Sequence, residues 1–328
     1  MKGTPPGAAD TQLLKSEAWR RLANQEPLKG LPLAKRGKRI DLSGLQLPDP
    51  TILEKRQTSL ATVERFEPNG TFYNTTFENL DFTGSNLPAI HFSECEIRNC
   101  CFDQCNLQGL RLRACVIREC SFRGANLRGV VLGAAAVTGP WAGKRNSFFN
   151  DDFSGANLKE TVYIAAAFNH CDFSNAFLQK ITFGTSTFEN CRFEGELREV
   201  WFWRSDWFTR GYPENTFPPN AMLNVDFSRA RLRDVQFCNL TLADVKLPSD
   251  DEHIVLNDFL DVLDMLLEAL TRQQDQTSKI LTAYLGAYRR WAVPGARGVL
   301  NRRDLAEIEP EADERLVQLL NQSRATLN

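Results

Sequence analysis

The chain has 328 residues, with 39 basic and 41 acidic side chains and a formal net charge of -2. This near balance argues against a nucleic-acid binder or a membrane-surface protein, and no apolar run approaches the roughly 18 residues of a membrane span. The polar start, from Met1 to Pro6, lacks the apolar region of a signal peptide, so a cytoplasmic protein is expected. The nine cysteines are expected to be reduced thiols, because no secretory signal accompanies them.

The first 39 residues predict a helical lead-in. A predicted helix from Thr11 to Asn24 carries Trp19 and leads to the run Asp41–Gly44. We expect this segment to cap the structure that begins near residue 40.

Large apolar side chains recur every five residues between residues 40 and 249. This period fits neither an α-helix, with 3.6 residues per turn, nor a strand, which repeats every two residues. It fits a chain that turns a corner after each group of five. The apolar centres are Leu42, Leu47 and Ile52; then Phe72, Phe77, Phe82, Leu87, Phe92, Ile97, Phe102, Leu107, Leu112, Ile117, Phe122, Leu127 and Leu132; then Phe148, Phe153, Leu158, Tyr163, Phe168, Phe173, Leu178, Phe183, Phe188 and Phe193; and finally Phe227, Leu232, Phe237, Leu242 and Leu247.

Residues 20 apart carry matching side chains, which predicts that four sides close one coil of 20 residues. The matching series are Phe82, Phe102 and Phe122; Leu87, Leu107 and Leu127; Phe148, Phe168 and Phe188; and Phe153, Phe173 and Phe193. A period of five alone does not require this match. The sequence therefore predicts interior columns of like side chains, one coil above the next.

The position two residues before each centre is small, as an inward position in a narrow coil must be. Seven of the nine cysteines occupy it: Cys95, Cys100, Cys105, Cys115, Cys120, Cys171 and Cys191. We interpret them as small buried side chains and not as a metal or redox site. Cys101 and Cys238 flank their centres instead, so they are expected to face outward and to be the reactive thiols.

Three segments interrupt the repeat, near residues 53–70, 138–147 and 198–221. The first is either a degenerate coil or a loop, since Ile52 to Phe72 spans one coil length. The second is rich in turn residues and shifts the register by one residue.

The third interruption is unusually rich in aromatic and arginine side chains. Trp, Tyr and Arg dominate the hot spots of protein interfaces, which favours a partner-binding loop. The alternative is a loop that folds back over the rod or over the C-terminal helices. The candidate partner-binding residues of this segment are Trp201, Trp203, Arg204, Trp207, Phe208, Arg210 and Tyr212.

After residue 249 the period of five gives way to helical patterns. The run Ser249–Glu252 has the form of a capping box and predicts a helix that includes Ile254, Val255 and Phe259. Two further helices are predicted near residues 277–292 and 311–325. Helices here would cover the open end of the last coil, and their number also suggests a homodimer contact or partner docking.

Several units follow one order: a small residue, Asp or Asn, Leu or Phe, then two variable residues. Examples are Cys105–Gly109, Ala125–Gly129, Ala156–Glu160 and Cys171–Asn175. This order resembles that of the pentapeptide-repeat family. The resemblance implies an all-β, right-handed quadrilateral β-helix over residues 40–249, with an N-terminal helical lead-in over 1–39 and a C-terminal α-helical domain over 250–328.

Enzyme signatures are missing from the sequence. It contains no nucleophile elbow, phosphate-binding loop, zinc-protease motif or dinucleotide-binding motif, and its three histidines are scattered. His91 precedes a centre and is expected to be exposed. We expect no catalytic residues, no cofactor and no metal site.

Four arginines follow four successive centres and predict a basic belt around one coil. They are Arg113, Arg118, Arg123 and Arg128, with Arg98 stacked beneath Arg118. The belt is either ordinary solvated surface or a docking site for an acidic patch on a partner protein.

The sequence favours a non-enzymatic, rod-shaped interaction scaffold for a protein partner whose identity it does not reveal. The resemblance suggests an alternative, because some family members mimic DNA and protect a type II topoisomerase such as DNA gyrase. That role needs a strongly negative surface, whereas the charges of residues 41–249 are nearly balanced. A second alternative is a secreted bacterial effector with a β-helix targeting module. Direct contact with nucleic acid or membrane is not expected.

Overall fold

The computed structural model describes residues 8–57, 62–132, 142–205, 216–273 and 275–326. The helices are α1 (Ala8–Ala23), α2 (Phe259–Thr271), α3 (Gln276–Arg289), α4 (Arg302–Ile308) and α5 (Pro310–Thr326). The strands are β1 (Lys35–Arg36), β2 (Arg39–Asp41), β3 (Ile52–Gln57), β4 (Thr62–Phe66), β5 (Gly70–Tyr73), β6 (Thr76–Glu78), β7 (Leu80–Asp81), β8 (Ile90–Ser93), β9 (Glu96–Arg98), β10 (Arg111–Arg113), β11 (Val116–Arg118), β12 (Val131–Leu132), β13 (Ser147–Phe149), β14 (Val162–Ile164), β15 (Ala167–Asn169), β16 (Asp172–Ser174), β17 (Leu178–Gly184), β18 (Thr187–Glu189), β19 (Arg192–Trp203), β20 (Val225–Cys238), β21 (Val245–Lys246), β22 (His253–Leu256) and β23 (Gly298–Asn301). Within these residues, none of the helices has both the length and the apolar character needed to cross a membrane.

Most strands stack in parallel on the strand 20 residues away, so the middle of the chain is a parallel β-helix. Leu112 on β10 pairs with Phe92 on β8, and Ile117 on β11 pairs with Ile97 on β9. The pairing follows four tracks, which we number by their apolar centres. Track 1 contains Phe72, Phe92, Leu112, Leu132, Tyr163, Phe183, Phe202 and Phe237; track 2 contains Phe77, Ile97, Ile117, Phe148, Phe168 and Phe188; track 3 contains Leu42, Phe82, Phe102, Phe122, Phe153, Phe173, Phe193, Phe227 and Leu247; and track 4 contains Leu47, Leu87, Leu107, Leu127, Leu158, Leu178, Leu197 and Leu232.

The predicted interior columns are confirmed. The Phe102 ring stacks between Phe82 and Phe122, with ring centroids 5.3 and 5.1 Å apart and interplanar angles of 12° and 9°. The column continues through Phe153 and Phe173 at similar spacing. Stacked rings therefore fill the interior of the coil along its axis.

The chain turns its corners through left-handed backbone two residues after a centre. Asn79, Asn99 and Asn190 have positive φ angles at such corners, and Asn tolerates this conformation better than most residues. Gly109 has a φ of 74° and a second reason to be glycine, because an added Cβ would lie 2.6 Å from Cδ2 of Phe66. This close approach seats the strand that carries Phe66 against the coil.

The first interruption is a two-stranded antiparallel hairpin, β3 with β4, and not a degenerate coil. The hairpin leaves the rod after Ile52, which is exposed, and returns at Phe66, which is buried against the corner at Gly109. The next coil then starts at β5.

The second interruption inserts extra residues into one coil. Ile117 on β11 pairs with Phe148 on β13, 31 residues away instead of 20. Because 31 is one more than a multiple of five, the predicted register shift of one residue is confirmed. Residues 133–141 of this segment lie outside the described residues.

The third interruption begins later than predicted, so that part of the prediction is wrong. Residues 198–203 belong to β19, and Phe202 is fully buried between Phe183 and Phe237 in track 1. The period of five did not predict this strand, because Leu197 follows Phe193 by four residues instead of five. The pairing of β19 with β20 is irregular between Arg192 and Glu194, next to Gly195, whose φ is 89°.

The small side chains two residues before each centre also hydrogen-bond the adjacent coil. The Cys105 thiol donates to the Phe82 carbonyl at 2.9 Å, and the Ser85 hydroxyl accepts from the Leu45 N–H at 3.0 Å. All nine cysteines are free and buried. The seven predicted inward thiols are thus confirmed as buried, and they also bond to the backbone.

Cys101 and Cys238 are not exposed, so the prediction that they face solvent is wrong. The Cys101 sulfur lies 3.2 Å from the Thr83 hydroxyl of the preceding coil. Cys238 pairs in register with Trp203, and its neighbour Asn239 donates to the Trp291 carbonyl, which places the C-terminal segment close to it. The periodicity gives the direction of a side chain but not what covers it.

Two polar side chains take the inward position in the coil that follows the insertion. Asn146 accepts from the Cys115 N–H at 2.9 Å and donates to the Leu112 carbonyl at 2.9 Å. Asp151 accepts from the N–H groups of Cys120, at 2.7 Å, and Phe149, at 2.9 Å. Burial raises the pKa of Asp151 to about 8, although these two N–H groups favour the carboxylate.

Helix α1 covers the first coil. The Trp19 ring contacts Phe72 and Phe82 edge-on, with centroid distances of 5.2 and 6.2 Å. The Lys15 ammonium donates to the Ser43 carbonyl at 2.5 Å and lies 3.5 Å from Asp41. The predicted helix is present, and it contacts the first coil.

At the other end, the predicted capping box does not start a helix. The segment His253–Leu256 forms β22, which pairs antiparallel with β23, and α2 begins only at Phe259. Asp250 accepts from the Glu252 and His253 N–H groups and so forms a turn. Helices α3 and α5 lie close to the predicted ranges, whereas the short helix α4 was not predicted.

The C-terminal segment hydrogen-bonds the edge of the last coil. His253 Nε2 accepts from the Leu232 N–H at 3.0 Å, and the Asn301 side chain donates to the Leu232 carbonyl at 2.8 Å. The buried guanidinium of Arg233 pairs with Asp304 and with Glu307. The contacts from His253 and Asn301 satisfy backbone groups that an open strand edge would leave unpaired.

Candidate interaction surfaces

Three tryptophans meet where β19 contacts the C-terminal helices. Trp201 and Trp203 flank the buried Phe202, and their rings stack at 5.8 Å. Trp203 is only 8% exposed and meets Trp291 edge-on at 4.8 Å. Trp201 is 36% exposed, and the Arg290 guanidinium lies 4.8 Å from the Trp291 ring. We call Trp201, Trp203, Trp291 and Arg290 the tryptophan junction.

Trp201 and Trp203, both candidate partner-binding residues, differ in their exposure to solvent. Trp203 is buried, whereas Trp201 exposes part of its ring to solvent. Arg204 is exposed, and its N–H donates to the Cys238 carbonyl at 3.1 Å. Trp207, Phe208, Arg210 and Tyr212 lie outside the described residues.

The four belt arginines lie on four different tracks, so they do not form one surface patch. Arg123 pairs with Asp152 at 2.6 Å, and Arg128 pairs with Glu160 at 3.2 Å. The Arg118 guanidinium lies 4.1 Å from the Phe149 ring. Each of these three arginines therefore binds the next coil. Arg98 pairs in register with Arg118 as predicted, and it lies 3.5 Å from Glu78.

Arg113 has a different setting, beside Arg111 and His91 on track 1. His91 is half-buried and not exposed as predicted, and it pairs in register with Arg111. Burial, with the like charges of Arg111 and Arg113, lowers the pKa of His91 to about 4. Burial, with Arg113 and Arg65, likewise lowers the pKa of Arg111. Two arginines and a histidine thus lie side by side on track 1.

Acidic side chains follow track 3, where basic residues of the same chain pair with them. Arg36 lies 3.6 Å from Asp41 and 3.9 Å from Asp81, and Lys246 lies 3.7 Å from Asp226. Asp152 is paired with Arg123. The negative charge of this track is therefore largely compensated within the chain.

Arg111 and Trp291 were not among the candidate residues that the sequence indicated. Arg111 and Arg113 flank Leu112, and the two-residue period of a strand places both on the same side. That signal was available in the sequence. Trp291 follows α3, and nothing in the sequence says that it meets Trp203, which precedes it by almost 90 residues.

The repeat described above matches a known family. The model for pentapeptide repeats matches in 8 copies, over residues 72–109, 95–133 and 152–195. This chain is a pentapeptide-repeat protein. No curated protein matches it significantly.

Solved structures similar to this pentapeptide-repeat protein include three from different sources. Trypsin-treated QnrB1, a plasmid-mediated fluoroquinolone resistance protein, is 17% identical, with 56% of this chain and 92% of that one covered and a TM-score of 0.23. HetL, involved in heterocyst differentiation regulation in the cyanobacterium Nostoc sp. strain PCC 7120, is 12% identical, with coverages of 71% and 92% and a TM-score of 0.22. A pentapeptide repeat protein of the Arabidopsis thaliana thylakoid lumen is 14% identical, with coverages of 56% and 76% and a TM-score of 0.13. None of these likenesses transfers a partner to this chain.

Burial should control the reactivity of the thiols of this pentapeptide-repeat protein. Burial raises the pKa of Cys105 to about 12, whereas a hydrogen bond from Cys115 lowers the pKa of Cys95 to about 7. Both are nevertheless almost inaccessible. We expect all nine thiols to alkylate slowly in the native protein and rapidly in urea, as measured by mass mapping after a brief pulse. Fast native labelling of Cys95 alone would show that the pKa, and not access, sets the rate.

Proposed function

We propose that this protein is a non-enzymatic, rod-shaped scaffold that binds a protein partner in the cytoplasm. In this proposal residues 40–249 form a right-handed, four-sided β-helix, residues 1–39 cap its start, and residues 250–328 form a helical domain at its end. The observation that supports it most directly is the exposed Trp201 ring on a rigid strand, backed by Trp203 and Trp291.

The filled interior favours binding over catalysis. Stacked rings occupy the coil from Phe82 to Phe227, which leaves no internal chamber of the kind that enzymes build around a substrate. No group of three metal-ligating side chains occurs in the part of the chain that the structure describes. In this proposal, partners therefore bind to the outer surface of the rod.

Trp201 has the properties of an interface anchor. A tryptophan loses little side-chain freedom when a partner covers it, and Trp is among the residues most enriched in hot spots. Its neighbours in the sheet, Thr182 and Gln236, hold its backbone on both sides. The surface is therefore organised before a partner arrives, which reduces the entropic cost of binding.

Replacing Trp201 by Ala should weaken partner binding by more than about 2 kcal/mol, roughly 30-fold in Kd. The partner is first identified by affinity capture and mass spectrometry, and its Kd is then measured with purified components. The matched control is Phe177→Ala, which removes another exposed aromatic ring, 56% exposed against 36% for Trp201, from track 4. Both variants should melt like the wild type, because neither ring is in the core.

Equal loss of affinity in the two variants would show that the tryptophan junction is not the contact. Trp203→Ala is a separate case, because Trp203 is buried against Trp291 and its loss should lower stability.

If the captured partner is a type II topoisomerase, the alternative of DNA-mimicking protection replaces a general scaffold. The compensated charges of track 3 disfavour that alternative, since a DNA mimic needs uncompensated negative charge. The effector and homodimer hypotheses stay predictions.

A further inference from the structure

We propose that six side chains on track 1 form a binding site for a phosphoryl group. They lie on β5, β8 and β10 and are Thr71, Tyr73, His91, Ser93, Arg111 and Arg113. We call them the donor grid. The proposal concerns a different place from the tryptophan junction and does not depend on it.

The grid is built by strand register. Arg111 pairs with His91, which pairs with Thr71, and Arg113 pairs with Ser93. Rungs of a sheet are about 4.8 Å apart, so three rungs place six side chains in two short rows. These six residues and Phe92 line a cavity of about 210 Å³. Sites for drug-sized ligands measure roughly 300–1,000 Å³, so this one suits a single phosphoryl group and not a whole nucleotide.

Arginine side chains act on one another beside the grid. Arg113 and Arg65 both act on the half-buried Arg111 and lower its pKa, as does burial. Glu94, which follows Ser93 at the corner, is held by the Lys144 ammonium at 2.7 Å. An oxyanion in the cavity would relieve the repulsion between the guanidiniums, and Arg pairs with phosphate through two parallel hydrogen bonds.

His91 provides an independent sign of a missing ligand. Its Nε2 atom is buried and has no hydrogen-bond partner among the residues that the structure describes. Buried polar atoms in native proteins nearly always have a partner. The imidazole is neutral at pH 7, because its pKa is lowered to about 4, and a neutral ring can donate one hydrogen bond to an oxyanion.

A phosphoryl group fits this grid better than a carboxylate does. It offers three acceptor oxygens in a tetrahedral arrangement, whereas a carboxylate offers two in a plane. Donors approach the cavity from three successive rungs, and they include hydroxyls as well as guanidiniums. The phosphoryl group comes either from free phosphate or from a phosphorylated side chain of a partner.

The test uses the full-length protein and isothermal titration calorimetry at low ionic strength, where charge attraction is least screened. The ligands are inorganic phosphate, a phosphoserine peptide and the same peptide without phosphate. The test variant is Arg111→Gln with Arg113→Gln. The matched control is Arg229→Gln with Arg231→Gln, which removes two exposed arginines, also two residues apart on one strand, from β20.

We expect saturable binding to the wild type and the control, and binding at least about tenfold weaker in the test variant. Saturation by inorganic phosphate alone identifies free phosphate as sufficient, and saturation by the phosphopeptide alone identifies a phosphorylated partner. Absence of saturable binding to either, or equal loss in the control, overturns the proposal. If the test variant does not fold, the His91 ring of the wild type is followed by NMR. Bound phosphate should raise the pKa of His91, and an unchanged pKa overturns the proposal.

Discussion

The Phe102→Ala variant should lose about 3–5 kcal/mol of unfolding free energy, the usual range for removing a buried phenylalanine. The Phe102 ring stacks on both Phe82 and Phe122, so its removal leaves a gap that interrupts a continuous column. A coil contacts only the coils next to it, and the gap cannot be filled from the side. Chemical denaturation followed by circular dichroism measures the loss.

Phe177→Ala is the matched control, because it removes the same side chain from a ring that is 56% exposed. Phe102→Leu should recover a large part of the loss, since leucine refills much of the volume and occupies the equivalent centres of track 4. If Phe102→Ala and Phe177→Ala unfold at the same denaturant concentration, the stacked column does not hold the coil together.

The sequence predicted the coil well because the repeat is local. The apolar centre of each five-residue unit marks the inward position, and the match between Phe82, Phe102 and Phe122 predicts which residues stack. The insertion before Phe148 also left a readable trace, a shift of one in the period. Each coil packs against neighbouring coils that have the same sequence pattern. Local sequence information therefore suffices to predict this part of the fold.

Features that depend on remote segments were not predictable in the same way. The strand His253–Leu256 forms because it pairs with Gly298–Asn301, and its sequence alone had favoured a helix start. Cys238 is buried next to Asn239, whose N–H donates to the carbonyl of the remote Trp291. The irregular pairing near Gly195 breaks the strict period of five, so the period did not identify Phe202 as a buried centre.

In the candidate surfaces, too, local patterns were predictable and contacts with remote segments were not. Tryptophan enrichment drew attention to β19, but it could not tell the exposed Trp201 from the buried Trp203, because only Trp203 packs against Trp291. The arginine belt was a pattern along the chain. In the structure its four members lie on four different tracks, and Arg113 alone among them lies beside Arg111.

A buried carboxyl should make the stability of the rod depend on pH in an unusual direction. Asp151 lies in the interior and its pKa is raised by burial to about 8, whereas an unfolded aspartate titrates near 3.9. Between these values the folded state binds more protons than the unfolded state. The contribution of Asp151 is therefore fully present below about pH 4 and is lost as the pH rises through 8.

Asp151→Asn should remove this dependence. The asparagine keeps an oxygen for the Cys120 N–H, but its amide group faces the Phe149 N–H, so the variant should be less stable than the wild type at pH 5. As the pH rises towards 8, the advantage of the wild type should shrink by up to about 1.4 kcal/mol per pH unit. Urea unfolding at pH 5, 6, 7, 8 and 9 measures both curves.

The reciprocal variant is Asn146→Asp, because Asn146 holds the equivalent inward position one side earlier on the coil. A protonated aspartate there can still donate to the Leu112 carbonyl and accept from the Cys115 N–H, as the asparagine does. Its ionised form can do only the second, and it brings a charge into the interior. Asn146→Asp should therefore gain the pH dependence that Asp151→Asn loses. Parallel stability curves for the wild type and both variants would mean that Asp151 titrates alike in the folded and unfolded chain, and that burial does not control its charge.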